Sequence, residues 1–262
     1  MALSGEGRKG IEKRQSEEKT LALFAEAEAR LSLGAPLKLR ASRRARRMSV
    51  RIDAPAHTVE LVLPFGVAAS KGLLFLSDKR EWIKRRLAAL PERVPFVEGA
   101  LVPIRGVPHR IVRETDAKAP LVAIEGGEIR VRGDPAHLSR RLKDHLVALA
   151  RREFAGRAPL EALAIGRRPR KVGVRDTKSR WGSCSQKGTL SFSWRLILAP
   201  EGVIDYLLAH EVAHLAEMNH GPRFWRLVER LLDKGAAPPA ARAIGQARLW
   251  LARHKNELLC YG

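Results

Sequence analysis

The sequence predicts an α+β protein in which a small, mostly antiparallel β domain precedes a domain of helices around one short antiparallel hairpin. Short runs rich in β-forming residues, separated by Gly, Pro and Asp, fill the chain up to about residue 134. From residue 135 onward, apolar residues recur at steps of three and four, which is typical of amphipathic helices. The 262 residues, 45% of them hydrophobic, suffice to build two apolar cores.

The chain begins with a polar tail and a short helix, which together we assign to residues 1–36. Residues 1–15 are polar, charged and glycine-bearing, which is typical of a chain end without a core. Leu and Phe at helical spacing then predict a helix over residues 16–33, and Gly34 and Pro36 end it.

Residues 37–134 are expected to form the β domain. One helix interrupts its strands over residues 70–90, with Leu74, Ile83 and Leu87 facing inward. The strands come from seven short runs: LKLRAS, MSVRIDA, TVELVLP, ALVPIRG, HRIVRE, PLVAIEG and EIRVRGD. We place the domain boundary near Asp134.

Residues 135–262 are expected to form the second domain. A stripe of leucines predicts a helix over residues 135–158. Two strands, residues 171–178 and 188–198, flank a Gly- and Ser-rich segment and are expected to pair as a hairpin. Three helices follow, over residues 202–218, 222–234 and 239–254.

Composition narrows the class of protein. The 49 Lys and Arg against 28 Asp and Glu give a net charge of +21, which favours anionic partners, although arginines spread through the chain are also typical of an Arg-rich proteome. With only Cys184 and Cys260, neither a disulfide framework nor a Cys-rich zinc site is available. Because the N-terminus has no apolar signal segment and no stretch is long enough to span a bilayer, we expect a cytoplasmic protein without membrane contact. The sequence leaves the oligomeric state open.

The sequence His-Glu-Val-Ala-His carries the strongest chemical signal. His210 and His214 stand at positions i and i+4 of a predicted helix, so both imidazoles lie on one face and can share a metal ion. Glu211 lies about 100° around the helix from His210, beside the metal rather than among its ligands. This arrangement predicts a zinc site with Glu211 as the general base for metal-activated water.

A catalytic zinc ion normally has three protein ligands, and His220 is the leading candidate for the third. It can reach the metal only if the helix ends before it, near Met218, and Asn219, Gly221 and Pro222 supply that break. Glu229 and His254 are the competing ligands. The spacing of the three histidines equals that of the HExxHxxGxxH zinc proteases, but Glu217 replaces their glycine. One zinc ion is expected, with other divalent metals as alternatives.

Several segments resemble one known family. They are Arg180-Trp181-Gly182-Ser183-Cys184-Ser185, the run from Leu190 to Pro200, the HEVAH helix, and Asn219-His220-Gly221-Pro222-Arg223-Phe224-Trp225. These residues resemble the YgjP-like metallopeptidase domain family. The resemblance implies a zincin-like α+β catalytic domain, with the HExxH helix under a short antiparallel sheet. It also implies His210, His214 and His220 as metal ligands and Glu211 as the catalytic residue.

The resemblance leaves two substrate classes open, because members of this family are described both as peptidase-like and as hydrolysing nucleotide pyrophosphate bonds. A peptide would lie along the edge of the strand over residues 188–198. A nucleoside triphosphate would need cations near the metal, and Lys178, Arg180, Arg195 and Arg223 are the candidates for substrate binding.

A third hypothesis is a basic nucleic-acid-binding protein with a structural metal, because residues 40–51 carry six arginines. Glu211 argues against it, since a structural zinc site is closed by a fourth protein ligand and has no use for a base. Trp181 and Trp194 either stack on a nucleobase or cover the core, and we favour the core. Cys184 is expected to pack rather than to react.

Overall fold

A computed structural model describes residues 31–54, 56–177, 180–233 and 239–262. The predicted tail and most of the predicted first helix lie outside these residues. The chain forms two compact units that divide between Leu90 and Pro91. Among the described residues, no helix combines the length and apolar character needed to cross a bilayer.

The N-terminal unit is a three-stranded sheet with two helices. Its strands are β1 (Leu37–Ser42), β2 (Ser49–Asp53) and β3 (Thr58–Pro64), with β3 in the centre, parallel to β1 and antiparallel to β2. The helices are α1 (Ala69–Asp78) and α2 (Arg80–Ala88). Apolar side chains of β3 pack against apolar side chains of the two helices and form the core. Val59, Leu61 and Leu63 come from β3, and Leu76, Ile83 and Leu87 come from the helices.

The helical segment of this unit differs from the prediction in two ways. Two helices that meet at Lys79 replace the single helix over residues 70–90. Ile83 and Leu87 are buried as predicted, but Leu74 is 69% exposed. The reason is the phase of α1, whose buried residues are Gly72 and Leu76. An added Cβ at Gly72 would lie 2.9 Å from methyl groups of Leu61 and Leu63, so a glycine allows α1 to approach the sheet closely.

The C-terminal unit begins with a four-stranded sheet. Its strands are β4 (Leu101–Ile104), β5 (Val107–Glu114), β6 (Val122–Glu125) and β7 (Glu128–Arg132), in the order β4-β5-β7-β6. The central pair, β5 and β7, is parallel, and the two outer pairs are antiparallel. Apolar residues of this sheet share one core with α3 (Leu138–Leu163). The sheet therefore belongs to the C-terminal unit, whereas the sequence assigned it to a domain ending near Asp134.

The rest of this unit contains a second sheet and three helices. The strands are β8 (Lys171–Arg175), β9 (Gly182–Cys184) and β10 (Thr189–Ser193), in the order β8-β10-β9. A buried 3₁₀ helix, Trp194–Leu198, leads into α4 (Glu201–Ala213). The chain continues with α5 (Pro222–Leu232) and α6 (Ala240–Leu259).

The sheets confirm an α+β fold but correct the expected pairing. All three sheets are mixed, because each contains one parallel pair. The predicted hairpin is absent from the described residues: β10 is parallel to β8, and its antiparallel partner is β9, which forms within the Gly- and Ser-rich segment. The expected strand over residues 188–198 ends at Ser193, where the 3₁₀ helix begins. Alternating polarity could not reveal this, since it is the same for both strand directions.

Candidate metal centre

The helix α4 carries two of the three histidines at its C-terminal end. Most of its residues are buried, because the helix is apolar on nearly all sides and lies inside the core. It ends at Ala213, with His214 as the C-cap, five residues earlier than the predicted end near Met218. The residues after His214 turn, so that His220 comes back towards His210 and His214.

The nitrogens of His210, His214 and His220 form one cluster. Their candidate ligand atoms all lie within 4.8 Å of one another, and Nε2 of His210 is 3.1 Å from Nε2 of His220. Two nitrogens bound to one tetrahedral metal at about 2.0–2.1 Å stand roughly 3.3 Å apart. The observed separation therefore fits two imidazoles directed at a shared divalent metal ion.

Contacts around the cluster hold the rings in place. Nδ1 of His214 lies 3.0 Å from the carbonyl oxygen of Glu217, so an N–H on Nδ1 donates to this carbonyl and leaves Nε2 for a metal. The fully buried ring of Phe224 lies beneath all three imidazoles, with centroid distances between 4.6 and 4.9 Å. Pro222 opens α5 and so brings Phe224 under the cluster.

His210 and His214 are poised as neutral ligands. Burial, together with the neighbouring charges of His214, His220 and Arg248, lowers the pKa of His210 to about 4. Burial also lowers the pKa of His214, against the opposing effect of its hydrogen bond to Glu217. A metal binds only the deprotonated imidazole, so these shifts favour binding at neutral pH.

Glu211 is buried beside this cluster, with 6% of its surface exposed. Burial raises the pKa of its carboxyl group to about 7, against the opposing charge of Arg180. The carboxylate lies against Gly182 at the start of β9, where an added Cβ would be 2.5 Å from Oε1. A glycine at this position makes room for the carboxylate, and a carboxyl pKa near neutrality suits a general base.

A cleft of about 270 Å³ opens beside the cluster. His210 and Glu211 line it together, and among the described residues Arg248 is the one cation in its lining. The remaining lining residues are Trp181, Gly182, Tyr206, Leu207 and Leu251. The guanidinium of Arg248 lies 5.4 Å from the ring centre of Trp225, which fixes this flexible side chain by a cation–π contact.

The edge of the sheet next to the cleft is β9, not the strand that the sequence favoured for substrate. The sheet order is β8-β10-β9, so β10 is central and has strand partners on both sides. Among the described residues, β9 pairs only with β10. Gly182 both begins β9 and lines the cleft, so the start of this edge strand borders the site.

The candidate substrate-binding cations lie in different surroundings. Arg180 is exposed, and its charge influences Glu211. Arg223 is exposed on the first turn of α5 and does not line the cleft. Lys178 lies outside the described residues. Arg195 is 5% exposed, pairs with Asp176 and stacks over Trp194 at 4.5 Å, so its guanidinium is engaged in the core.

The other residues that the sequence analysis named make packing or ion-pair contacts and are not part of the histidine cluster. His254 stacks on Trp250 at 4.6 Å and pairs with Glu257, and neither His254 nor Glu229 belongs to the histidine cluster. Trp194 is buried in the core, whereas Trp181 is half-buried and lines the cleft. Cys184 packs against the core, and burial together with Glu211 raises the pKa of its thiol to about 11.

Sequence reasoning missed three residues of the site. Tyr206 precedes His210 by one helical turn, and its hydroxyl lies 3.4 Å from Nδ1 of His210, so the i, i+4 spacing could have revealed it. Gly182 lies within the segment Arg180-Trp181-Gly182-Ser183-Cys184-Ser185, but only its close approach to Glu211 explains why this position needs a glycine. Arg248 carries no sequence signal, because it reaches the cleft from a helix 38 positions beyond His210.

Comparison with known proteins agrees with this site. The sequence model of the YgjP-like metallopeptidase domain family matches residues 46–237. No curated protein sequence is significantly similar to the chain. Among solved structures, the chain is similar to the metallopeptidase zymogen abylysin of Pyrococcus abyssi, with 23% identity over 42% of this chain and 95% of that chain. The TM-score of that match is 0.29.

The family match spans well over half of the chain and includes all three histidines and Glu211. A metallopeptidase domain acts as a metal-dependent hydrolase, and the three-histidine cluster supplies the donors that a divalent metal requires. The chain therefore belongs to the YgjP-like metallopeptidase domain family and is a metal-dependent hydrolase.

Proposed function

We propose that the protein is a zinc-dependent peptidase in which Glu211 is the general base. One observation carries this proposal: the buried Glu211 carboxylate lies between the histidine cluster and the first residue of the edge strand β9. A base, a metal site and an open strand edge thus meet at one cleft. These are the parts that hydrolysis of an extended peptide requires.

His210, His214 and His220 would hold the zinc ion. Three neutral imidazoles leave a tetrahedral metal one position for substrate or water, which is typical of catalytic rather than structural zinc. When bound, zinc supplies a Lewis acid that polarises the scissile group and makes water more acidic. The open cleft beside the cluster argues against the closed, structural site of the nucleic-acid-binding hypothesis.

Glu211 would move the proton. Its pKa of about 7 makes both the carboxylate and the acid accessible near neutral pH. The carboxylate takes a proton from the attacking water, and the resulting acid returns it to the departing amine. Burial keeps bulk water from competing for this proton.

The edge strand β9 would align the peptide. An extended substrate that adds to its free edge gains main-chain hydrogen bonds and passes the cleft next to Glu211. Trp181 and Leu207 then offer apolar surface to side chains of the peptide.

The test uses the zinc-loaded protein with casein as substrate. We expect Glu211→Gln to retain zinc and to lose at least about 100-fold in turnover, because general-base catalysis contributes roughly 10²–10⁴-fold. Glu217→Gln is the matched control, since it removes the same charge nearby and keeps the carbonyl that holds His214. A chelator should abolish turnover, and zinc should restore it. If the Glu211→Gln variant hydrolyses casein as fast as the unchanged protein, Glu211 is not the general base.

A second candidate function is hydrolysis of nucleotide pyrophosphate bonds at the same metal site. The observation that favours it is Arg248, a cation in the lining of a cleft that also holds Trp181 and Tyr206. A guanidinium fixed on Trp225 can bind phosphate oxygens, and the cleft aromatics can contact a base.

A panel of nucleoside triphosphates, assayed beside casein, separates the two candidates. If nucleotides are the substrate, we expect Arg248→Ala to lower kcat/KM for the best triphosphate by at least about tenfold, because a charge-assisted contact contributes 1.5–3 kcal/mol. Arg242→Ala, an exposed arginine on the same helix, is the control. Turnover of casein without turnover of any triphosphate would reject this candidate.

A further inference from the structure

Positive charge is denser in residues 31–90, the described part of the N-terminal unit, than in the C-terminal unit. Residues 31–90 carry 13 Lys and Arg against four Asp and Glu, whereas residues 91–262 carry 30 against 18. The net charge per residue is therefore roughly twice as high in residues 31–90 as in residues 91–262.

Four of these cations form an arginine turn, which we define as residues 43–47 between β1 and β2. Arg43, Arg44, Arg46 and Arg47 are all exposed. Within the described ranges of the chain, no carboxylate lies within ion-pair distance of any of them. Four unneutralised guanidiniums in five residues repel one another, so this turn favours a polyanionic partner.

An exposed aromatic ring lies at the arginine turn. The strands β1 and β3 are parallel with Ser42 opposite Pro64, so the next residues, Arg43 and Phe65, emerge at the same end of the sheet. The backbone N–H of Phe65 donates to the carbonyl of Ser42, and the Arg43 guanidinium lies 5.1 Å from the ring centre. Phe65 is nevertheless 68% exposed, although burial of its ring would be favourable.

Further cations continue from the turn along the exposed face of the sheet. Lys38, Arg40 and Arg51 stand at exposed positions of β1 and β2, and all three are close to Glu60 in the strand register. Glu60 pairs with Arg40 at 2.9 Å. Exposed cations therefore occur on both outer strands of this sheet as well as in the turn that joins them.

We infer that the arginine turn and Phe65 bind single-stranded nucleic acid. The guanidiniums contact backbone phosphates, and one base stacks on the open face of the Phe65 ring. A single strand is favoured over a duplex, because only an unpaired base offers its face to a side chain. This surface belongs to the N-terminal unit and the histidine cluster to the C-terminal unit, and its role does not depend on the proposed peptidase activity.

The test measures binding of the full-length, zinc-loaded protein to a fluorescently labelled 20-nucleotide oligo(dT) by anisotropy at several salt concentrations. For Arg44→Ala/Arg46→Ala/Arg47→Ala, we expect affinity to fall by at least about tenfold and the slope of log K against log salt to decrease by about 2, since each phosphate contact contributes about 0.7. Phe65→Leu should weaken binding about five- to 100-fold without changing that slope, because it removes stacking and no charge.

A charge-matched control keeps the inference falsifiable. Arg151→Ala/Arg168→Ala/Arg253→Ala removes three exposed arginines of the C-terminal unit and should leave binding within about twofold. An equal loss of affinity in this control would show that the total charge attracts the oligonucleotide, and it would overturn the inference.

Other ligands distinguish the kind of partner. Equal affinity for duplex DNA, or no effect of Phe65→Leu, would reject the single-strand assignment. Stronger binding to vesicles with anionic lipid, lost in the same triple variant, would assign the turn to a membrane surface instead. Thermal unfolding of each variant checks that its fold is intact.

Discussion

Arginine serves opposite purposes in the two units of this protein. In the C-terminal unit, Arg157 of α3 pairs with Glu153, Glu161, Glu201 and Asp205, and two of these partners lie in the first turns of the metal helix α4. In the N-terminal unit, the arginine turn is exposed and has no carboxylate partner among the described residues. The first arrangement holds a catalytic helix in position, and the second leaves charge for a partner.

The difference shows that net charge alone does not report function. An arginine that is enclosed by carboxylates contributes to the total of +21 as much as an exposed one. Only the exposed, unpaired arginines create a field that reaches a ligand. The interpretation of the charge therefore depends on where each cation lies and what it pairs with.

The largest expected effect comes from Gly182→Ala, which should impair turnover in the C-terminal unit and leave nucleic-acid binding by the N-terminal unit unchanged. The new Cβ would lie 2.5 Å from Oε1 of Glu211, so the carboxylate must move out of position. We expect turnover of casein to fall by about 100-fold, because small misplacement of a catalytic group costs roughly this factor. Ser183→Ala in the same strand is the control, and oligo(dT) binding should stay unchanged. Retained turnover would mean that the close contact of Gly182 with Glu211 is not needed.

A smaller effect is expected on stability when the enclosed arginine loses its charge. Arg157→Met should lower the free energy of unfolding by about 2–4 kcal/mol, because it leaves several carboxylates close together without their cation. The check is urea denaturation at neutral pH. Arg140→Met breaks an exposed i, i+4 pair with Asp144 and should cause little change. Similar losses in both variants would argue that the Arg157 cluster is not special.

A pH-dependent effect is expected at Asp176, the partner of the buried Arg195. Burial alone would raise the pKa of Asp176, but hydrogen bonds from Lys143 and Arg195 outweigh it and hold this pKa below its usual value. A lowered pKa stabilises the fold above the unfolded value near pH 4, and this contribution is lost as pH falls through the folded value. Asp176→Asn should therefore cost roughly 1–2 kcal/mol from pH 5 to 8, reduced because Asp176 is 42% exposed.

Urea denaturation of Asp176→Asn and of the unchanged protein at pH 7 and at pH 3 measures this difference. We expect it to shrink at pH 3, which lies below the unfolded pKa, because the contribution of the charge is lost as pH falls towards the lowered folded pKa. A difference that stays the same at both pH values would exclude the charge of Asp176 as its cause.

The smallest effect is expected in the arginine turn. Arg44→Gln/Arg46→Gln should change Tm by less than about 2 °C, because exposed side chains without partners contribute little to stability. Differential scanning calorimetry checks this beside Arg157→Met. A large fall in Tm would show that the turn stabilises the fold, and it would weaken the contrast between the two units.

Much of the metal site could be predicted from the sequence, because its main part is local. The i, i+4 spacing of His210 and His214 fixes both rings on one helical face without any knowledge of the remaining fold. His220 could be proposed from the helix-breaking Asn219, Gly221 and Pro222, although the helix ends earlier than predicted. The cleft residues Gly182 and Arg248 could not, since only packing brings β9 and α6 to the metal helix.

The fold shows the same division. Alternating polarity located most strands, and helical spacing located the four helices of the C-terminal unit. Strand direction and neighbours escaped prediction: each sheet has one parallel pair, and β9 arises in a segment expected to be a turn. These features depend on contacts between distant residues, which no local pattern encodes.

The sequence by itself determined which residues are candidates for the chemistry, because the candidate metal ligands and the proposed base are set by short-range spacing on one helix and one turn. Tertiary structure decided what surrounds that chemistry. It buried Glu211 against a glycine, made β9 rather than β10 the sheet edge, and brought Arg248 into the cleft. It also enclosed Arg157 and Arg195 among carboxylates and left the arginine turn open, since pairing depends on positions that are distant in the chain and close only after folding.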